Sequence, residues 1–558
     1  MRHAPLPSHP TRNRVTHHHQ QAPRRAAAPT RRGALPTTRN PALPPFRNTP
    51  TNYAHSALGA VVRIGNKIPD ITTLFVGALV IVLALSALLS RFTFGYVNPA
   101  SGEQISIVNM LAPEKLVDLL ASAVTNFATF PALGMVIVAT IGIGIADGSG
   151  FINAALRKLL ARTPKFLLTP MIVVAGMLSH LGPDTGYVVI IPVAAYMFYA
   201  VGRHPLAGIA ASFAGIAGAF AANYTPSAID PVIQGFTEPA AQIIDPNYSV
   251  NILSNYFYGL GATFIVIPAL WLVTDKWVEP WCQRSFPIDV HPDEVETVDQ
   301  PLTAQETRAL YISSAVLLIA MVAMAVTMIP ADSNWRSESG SLTAPDAPVM
   351  KSIVTLIFVA TGLVGLLYGA LSGKFRSPKD VSAAMETMVT TLVPLIVFYF
   401  FAAQFMWAFN QSQIGSLLAV SGAEFLQKLN MPPQLTIIGI ILFVGLLNLV
   451  ITSASAKWAI LAPIFVPMLM GVGIAPELTQ ATFRISDSAV NVVTPMFAFY
   501  PLIITYCQKY VKKAGIGTLS SVMMPYSAAL LISFTIMLFV FWGLNIPLGI
   551  DAAYSYSG

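Results

Sequence analysis

The chain is dominated by runs of about twenty apolar residues, the length a helix needs to cross a hydrocarbon core about 30 Å thick. Nine runs, at 71–91, 131–147, 206–233, 254–274, 309–329, 350–371, 389–409, 479–506 and 520–546, predict nine transmembrane helices. Two further apolar stretches, 166–201 and 436–471, are too long for one span and are interrupted near the middle. The first interruption is Ser179-His180-Leu181-Gly182-Pro183-Asp184-Thr185-Gly186, the second Thr452-Ser453-Ala454-Ser455-Ala456-Lys457. Each stretch is either two full spans or a re-entrant hairpin. The polar tips favour the hairpin: facing lipid, an ionised group at membrane depth costs about 2.5–3.5 kcal/mol and unpaired backbone adds to it, whereas a tip buried against protein or water avoids the cost.

The two interrupted regions align. Pro192, Val201-Gly202 and Pro205 meet Pro463, Val472-Gly473 and Pro476 at an offset of 271, and Thr225-Pro226 and Pro231 meet Thr494-Pro495 and Pro501 at 269 and 270. Each hairpin precedes a span with a proline break, Asn223-Tyr224-Thr225-Pro226 in one and Asn491-Val492-Val493-Thr494-Pro495 in the other. Proline removes a helical hydrogen bond, and freed carbonyls and half-helix ends at mid-membrane are ingredients of transporter sites. The expectation is an all-α polytopic membrane protein with nine transmembrane helices and two re-entrant hairpins in inverted repeats, repeat one at 166–233 and repeat two at 436–506.

Composition agrees: of 558 residues, 54% are hydrophobic and 10% charged, which excludes an ordinary soluble domain. The net charge of +6 is concentrated in the first 69 residues, where eleven Lys and Arg meet no acidic residue; the rest carries 21 basic against 26 acidic groups. No nucleic-acid partner is therefore expected. Residues 1–68, rich in Pro, Arg and His and including Thr16-His17-His18-His19 and Arg24-Arg25, are expected to be disordered, ahead of a membrane transporter domain at 69–558. A transit peptide and a metal-binding His cluster are the functional alternatives for this tail. With the amino terminus inside, Arg157, Lys158, Arg162, Lys165, Arg203, Lys276, Arg284, Lys374, Arg376, Lys379, Lys509, Lys512 and Lys513 all fall on the cytoplasmic face, and the carboxyl terminus lies outside.

Six ionisable residues are placed at or near the breaks: His180, Asp184, Asp230, Lys457, Arg484 and Asp487. Arg484 and Asp487, three apart, either neutralise each other or leave the guanidinium fork to hold a ligand carboxylate. Lys457 either snorkels to water or meets substrate, and Trp458 either fills the core or stacks on an aromatic solute. Oxygen ligands for a hard monovalent cation are Asn448, Ser453, Ser455, Asp487, Asn491 and Thr494 in one repeat and Asp184, Thr185, Asn223 and Thr225 in the other. The hydroxyls among them can equally bond their own backbone. Ser372-Gly373-Lys374-Phe375 fails the phosphate-loop pattern, there is no His-Glu-x-x-His motif, and no nucleophile–base pairing is evident, which argues against an ATP-driven pump or an enzyme. The residues point to a secondary transporter of a small anionic organic solute. A passive anion channel, using the same positive groups, is the alternative of another class.

From about residue 70 onward the chain resembles the AbgT, or p-aminobenzoyl-glutamate transporter, family. The resemblance is carried by Gly202-Arg203-His204-Pro205-Leu206-Ala207-Gly208, by Ile229-Asp230-Pro231 with Gly235-Phe236-Thr237-Glu238, and by Ser453-Ala454-Ser455-Ala456-Lys457-Trp458-Ala459-Ile460-Leu461-Ala462-Pro463. Pro476-Glu477-Leu478-Thr479-Gln480, leading to Arg484 and Asp487, and Lys512-Lys513-Ala514-Gly515-Ile516-Gly517-Thr518 extend it. It implies a homodimer of nine-span, two-hairpin protomers in the bacterial inner membrane, coupled to sodium ions or protons and needing no other cofactor. It implies p-aminobenzoyl-glutamate as substrate and, for some members, sulfonamide export. The implied functional positions are Asp230, Ser455, Trp458, Pro476, Arg484, Asp487 and Pro495, with Asn448 and Asp487 as sodium ligands. The amino-terminal extension departs from the family pattern.

Overall fold

A computed structural model describes residues 71–97, 103–161, 163–181, 186–227, 229–289, 302–344 and 346–557. The expected tail at 1–68 and the tip residues Gly182, Pro183, Asp184 and Thr185 lie outside the described residues. Helices α1 (Ile71–Leu89), α2 (Pro113–Ala128), α3 (Pro131–Gly148) and α4 (Phe151–Ala161) lead to the first interrupted stretch. There α5 (Leu168–Leu178) and α6 (Ile191–Ala200) flank the tip, and α7 (Pro205–Phe213) and α8 (Ile229–Ala241) flank the break that follows. Between the interrupted regions run α9 (Tyr256–Val273), α10 (Glu279–Ser285), α11 (Ala304–Met328), α12 (Pro348–Lys351), α13 (Ile353–Ser372), α14 (Pro378–Thr390), α15 (Val393–Gln411) and α16 (Ile414–Leu429). The second interrupted region repeats the first pattern with α17 (Pro433–Asn448), α18 (Ala454–Met470), α19 (Pro476–Asn491) and α20 (Tyr500–Tyr510), and α21 (Ile516–Gly543) follows.

This is an all-α polytopic membrane fold; the described residues form only two isolated β-bridges and no strand. Seven helical stretches are long and apolar enough to cross a membrane, or eight if the bent pair α16–α17 counts as one span. Seven of the nine expected runs correspond to these. The other two, 206–233 and 479–506, are not continuous helices: α7 runs on through a π-helical turn, Ala214–Gly218, and breaks before α8, and α19 breaks before α20. The prolines and polar residues in those runs account for the interruptions. Sequence patterning missed α2, α14 and α16, whose polar positions dilute the apolar signal although α2 continues into α3 as one apolar stretch, Pro113–Gly148. The 118° bend between α16 and α17 follows from Asn430 at φ +49° ahead of Pro432 and Pro433.

The arms pack alike in the two regions. Helices α5 and α6 both lie against α7, and α5 also against its π-helical extension, as α17 and α18 both lie against α19. Close approach comes from small residues, as expected where lipid offers no hydrophobic drive between helices. A Cβ on Gly176 of α5 would come 2.9 Å from the Gly215 carbonyl carbon, and one on Gly215 would come 2.8 Å from the Val173 carbonyl oxygen. Helix α18 crosses to α8, which itself packs on α3, and α19 rests on α21. The two interrupted regions are therefore in direct contact.

Arg203, in the turn between α6 and α7, staples the first region to the α9–α10 corner. Its guanidinium reaches Asp275 Oδ1 at 2.5 Å, donates from Nε to Glu279 Oε2 at 2.8 Å and from Nη1 to Thr169 Oγ1 at 2.9 Å, and lies 4.1 Å from the Phe198 ring centroid. Gly202 makes the turn with φ +82°, a conformation that disfavours any side chain. Arg203→Ala is expected to destabilise the protein by about 2 kcal/mol, less than the loss at a fully buried pair because the guanidinium keeps some access to water. Arg203→Lys cannot reproduce the fork and should recover under half of that loss, as read from thermal unfolding in detergent.

Candidate functional site

The helix breaks meet around one cavity of about 330 Å³. Ser179, His180 and Tyr187 reach it from the first tip, Phe220, Ser227 and Ile229 from the first break, Thr452 and Ala454 from the second tip, and Asp487, Asn491, Phe497 and Phe499 from the second break. The start of α15 and the middle of α3 close the remaining wall. The volume suits a small organic solute.

Two buried charge pairs stand behind this cavity. Arg484 donates from Nη1 to Asp230 Oδ1 at 2.6 Å, and Asp230 Oδ2 accepts from the backbone N and the hydroxyl of Ser227 at 2.7 and 3.0 Å. The pair joins α19 to α8, one from each interrupted region. Among the described residues the guanidinium makes no other hydrogen bond. Arg484 borders a water-sized void of about 10 Å³ that shares Phe220, Ile229, Ala454 and Asp487 with the cavity walls.

The second pair is Lys457 and Asp487, 1% and 2% exposed, with Lys457 Nζ 2.8 Å from Asp487 Oδ1. That approach lies off a hydrogen bond's preferred direction, so it is a charge contact. The ammonium instead donates to Asn448 Oδ1. Asn448 Nδ2 in turn donates to the Asp487 carbonyl at 2.9 Å and to Asn491 Oδ1 at 3.0 Å. Two alternatives left by the sequence are resolved: Lys457 does not snorkel to water, and Arg484 and Asp487 do not neutralise each other along their shared helix, since each has found a partner elsewhere.

Trp458 is 1% exposed, stacked on Phe483 with centroids 4.5 Å apart, and donates from Nε1 to Thr237 Oγ1 at 2.9 Å. It locks α18 to α8 and does not line the cavity. The aromatic faces that do are Tyr187, Phe220, Phe497 and Phe499; Tyr187 and Phe499 stack in parallel at 4.1 Å and 6°. Sequence reasoning missed these four. Their position beside the breaks, at Gly186-Tyr187, at Phe220 ahead of Asn223 and at Pro495-Met496-Phe497-Ala498-Phe499, was the available signal.

The oxygen-ligand candidates divide. Asn448, Asp487 and Asn491 are brought together, but the side-chain oxygens of the first two face the Lys457 ammonium. Ser453 and Ser455 hydroxyls sit 3.3 Å apart at the start of α18, where Ser453 caps the helix through Ala456 N. Thr494 donates to the Leu449 carbonyl at 2.7 Å. Asn223 Oδ1 lies 2.5 Å from His180 Nδ1, while His180 Nε2 lies 2.8 Å from the Ile216 carbonyl, which ties the first tip to the first break. Thr225 is exposed and is not part of the cavity wall. Pro495 is half-buried within the second break. Pro476 opens α19, about 16 Å of helix rise from Asp487.

Removing one member of the Lys457–Asp487 pair strands a charge in a dry interior. Lys457→Met or Asp487→Asn alone should each cost about 3–5 kcal/mol, and the double variant less than either, by thermal unfolding of the purified protein. A double variant as damaged as the sum of the two would show that pairing is not what holds these groups.

Comparison with known proteins fits this architecture. The profile of the AbgT transporter family matches residues 56–556. The p-aminobenzoyl-glutamate transport protein of Escherichia coli (strain K12) is 31% identical over 491 residues, 88% of this chain and 95% of that protein. The solved YdaH transporter of Alcanivorax borkumensis, reported to have an unusual topology, is similar with a TM-score of 0.81 at 36% identity, covering 86% of this chain and 100% of that one. MtrF of Neisseria gonorrhoeae, reported to illuminate a class of antimetabolite efflux pumps, gives 0.82 at 38% identity, covering 89% of this chain and 100% of that one. With the family profile matched over nearly the whole helical body and the solved relatives sharing its fold, this chain belongs to the AbgT family and is a membrane transporter, not an enzyme.

Proposed function

We propose that this protein is an ion-coupled secondary transporter of p-aminobenzoyl-glutamate-like aromatic carboxylates. The single observation that carries the reading is the convergence of both helix breaks, with Arg484, Asp230, Lys457 and Asp487 beside them, on one 330 Å³ cavity. The free edge of the Arg484 guanidinium takes a substrate carboxylate through charge-assisted hydrogen bonds. Tyr187, Phe497 and Phe499 offer the faces against which an aromatic ring packs. Ser455, Pro476, Pro495 and Trp458 act from behind, through helix geometry and not by contact. The name of the Escherichia coli relative supports the substrate class.

In this reading the two interrupted regions are inverted repeats whose tips are re-entrant, with the amino terminus cytoplasmic and the carboxyl terminus outside, in a homodimer in the bacterial inner membrane. The matched offsets, the shared packing of arms on broken helices and the basic loops support it. Sodium or protons supply the driving force at the Asn448–Asp487 seat. Sodium can be held there only when the Lys457 ammonium leaves, because both compete for the same oxygens.

Reconstitution in liposomes tests the whole proposal, with sodium and pH gradients imposed separately and labelled p-aminobenzoyl-glutamate as solute. Accumulation above equilibrium that collapses with one of the gradients is expected; simple equilibration would indicate a passive channel instead. Arg484→Ala and Asp487→Ala should lose most transport at equal protein level, and unchanged flux in both removes their roles. Tyr187→Leu and Phe499→Leu should each raise KM by roughly 2–10-fold, the worth of an aromatic contact at about 0.5–1.5 kcal/mol. The similarity to MtrF favours a second reading, proton-driven export of sulfonamide antimetabolites. Cells lacking the gene would then retain more labelled sulfonamide than cells carrying it.

A further inference from the structure

A second cavity, of about 340 Å³, opens between α3, α4, α11 and α13, well apart in sequence from the helix breaks. Arg157 and Asn153 of α4, Glu306 in the first turn of α11, and Tyr368 and Lys374 at the end of α13 line it. Gly150 turns the chain from α3 into α4 with φ +84°, and a Cβ there would lie 3.5 Å from Lys374 Nζ. The ammonium is therefore held over the start of α4, beside the Arg157 guanidinium's wall of the same cavity.

Among the described residues no ion pair balances the charges here. Among the described residues neither Arg157 nor Lys374 has a carboxylate within 4 Å, and Arg157 Nε is buried with no acceptor. The one carboxylate in the wall, Glu306, is engaged in capping its own helix: its Oε2 accepts from the backbone N and hydroxyl of Thr303, both at 2.8 Å. A buried guanidinium edge without an acceptor costs free energy unless something outside the fold supplies one. Two cations, one of them a planar fork, suit the tetrahedral oxygens of a phosphate. Asn153 Oδ1, also buried without a partner, adds an acceptor suited to a hydroxyl on the same ligand.

The neighbouring helices say where that phosphate comes from. Leu318, Ile319 and Val322 on α11 and Val359 and Leu366 on α13 are exposed apolar side chains on spans long enough to cross the membrane, a surface suited to the acyl chains of a lipid. Basic hollows at the ends of such helices are suited to anionic lipid head groups. We propose that this cavity binds the phosphate of an anionic phospholipid, held by Arg157 and Lys374, with a head-group hydroxyl at Asn153.

Binding is read from the thermal unfolding midpoint of the purified full-length protein, titrated with short-chain phosphatidylglycerol, short-chain phosphatidylcholine or inorganic phosphate. Phosphatidylglycerol should give a saturable rise, and the other two little. Arg157→Gln and Lys374→Gln should each weaken the apparent affinity roughly tenfold, the loss of one charge-assisted contact. Lys374 is exposed, so Lys374→Gln should fold even if Arg157→Gln does not, and the exposed Lys379→Gln serves as the control that keeps wild-type affinity. An equal effect of Lys379→Gln, or undiminished binding in Lys374→Gln, overturns the proposal. An identical saturable rise with inorganic phosphate overturns the lipid as its source. Asp293, Glu294, Glu296 and Asp299 lie shortly before Leu302 of the cavity wall in the sequence. Phosphatidylglycerol binding that appears only after all four are changed to Asn or Gln would assign the cavity to the chain's own acidic segment, and likewise overturns it.

Discussion

Four charges withdrawn from water, Asp230 with Arg484 and Lys457 with Asp487, are the constraint around which the centre of this protein is built. A buried ion pair rarely adds net stability over well-packed apolar residues, so such pairs are weak explanations of folding and better explanations of a site. They persist here because the helix breaks supply what desolvation demands. The first break brings Ser227 to Asp230, and the end of α17 brings Asn448 to both Lys457 and the backbone of Asp487. Had α7 and α8 run as one helix, Ser227 N would be committed to a helical carbonyl and Asp230 would lose that donor. The breaks and the charges each make the other tolerable.

Much of this was legible in the sequence, and the remainder was hidden for a definable reason. Interruptions at Thr225-Pro226 and Thr494-Pro495 are local chemistry, and intramembrane charges announce themselves by their cost. Partner choice is not local. Arg484 lies three residues from Asp487, a favourable helical spacing, yet pairs with Asp230, 254 positions away. A spacing rule cannot see that the facing helix offers a carboxylate already held by two Ser227 donors. Trp458 shows the same limit from the other side: in sequence it directly follows a polar tip, but in space it meets Phe483 and Thr237. The cavity's actual aromatic wall comes from Tyr187, Phe220, Phe497 and Phe499, residues that in a chain with 31 Phe and 18 Tyr look like ordinary membrane filler.

The two sides of the cavity are held by different kinds of contact. Behind Trp458, a chain of hydrogen bonds runs from Thr237 through Gln480 to Asn255, at 2.6 and 2.8 Å, and ties α8, α19 and the start of α9 into one block. On the other side, the described residues of the first tip are held by His180 to Asn223 and Ile216, by Tyr187 stacked on Phe499, and by the glycine contact of α5 with residue 215. Polar bonds dominate one side of the cavity, and ring stacking with close glycine packing the other.

The position of Lys457 sets a condition on any coupling mechanism. Its ammonium already lies against Asn448 Oδ1 and 2.8 Å from Asp487 Oδ1. A second monovalent cation placed about 3 Å from it would meet a repulsion of roughly 5 kcal/mol even at an effective dielectric of about 20. The seat therefore holds one positive charge at a time, whether tethered or free. Because Lys457 belongs to the first turn of α18, a cation that takes the seat must displace that turn or discharge its ammonium, and one that leaves lets it return. On the proposed coupling, ion occupancy would thereby be tied to the placement or the charge of Lys457, which is the link a coupled transporter requires and an open pore does not.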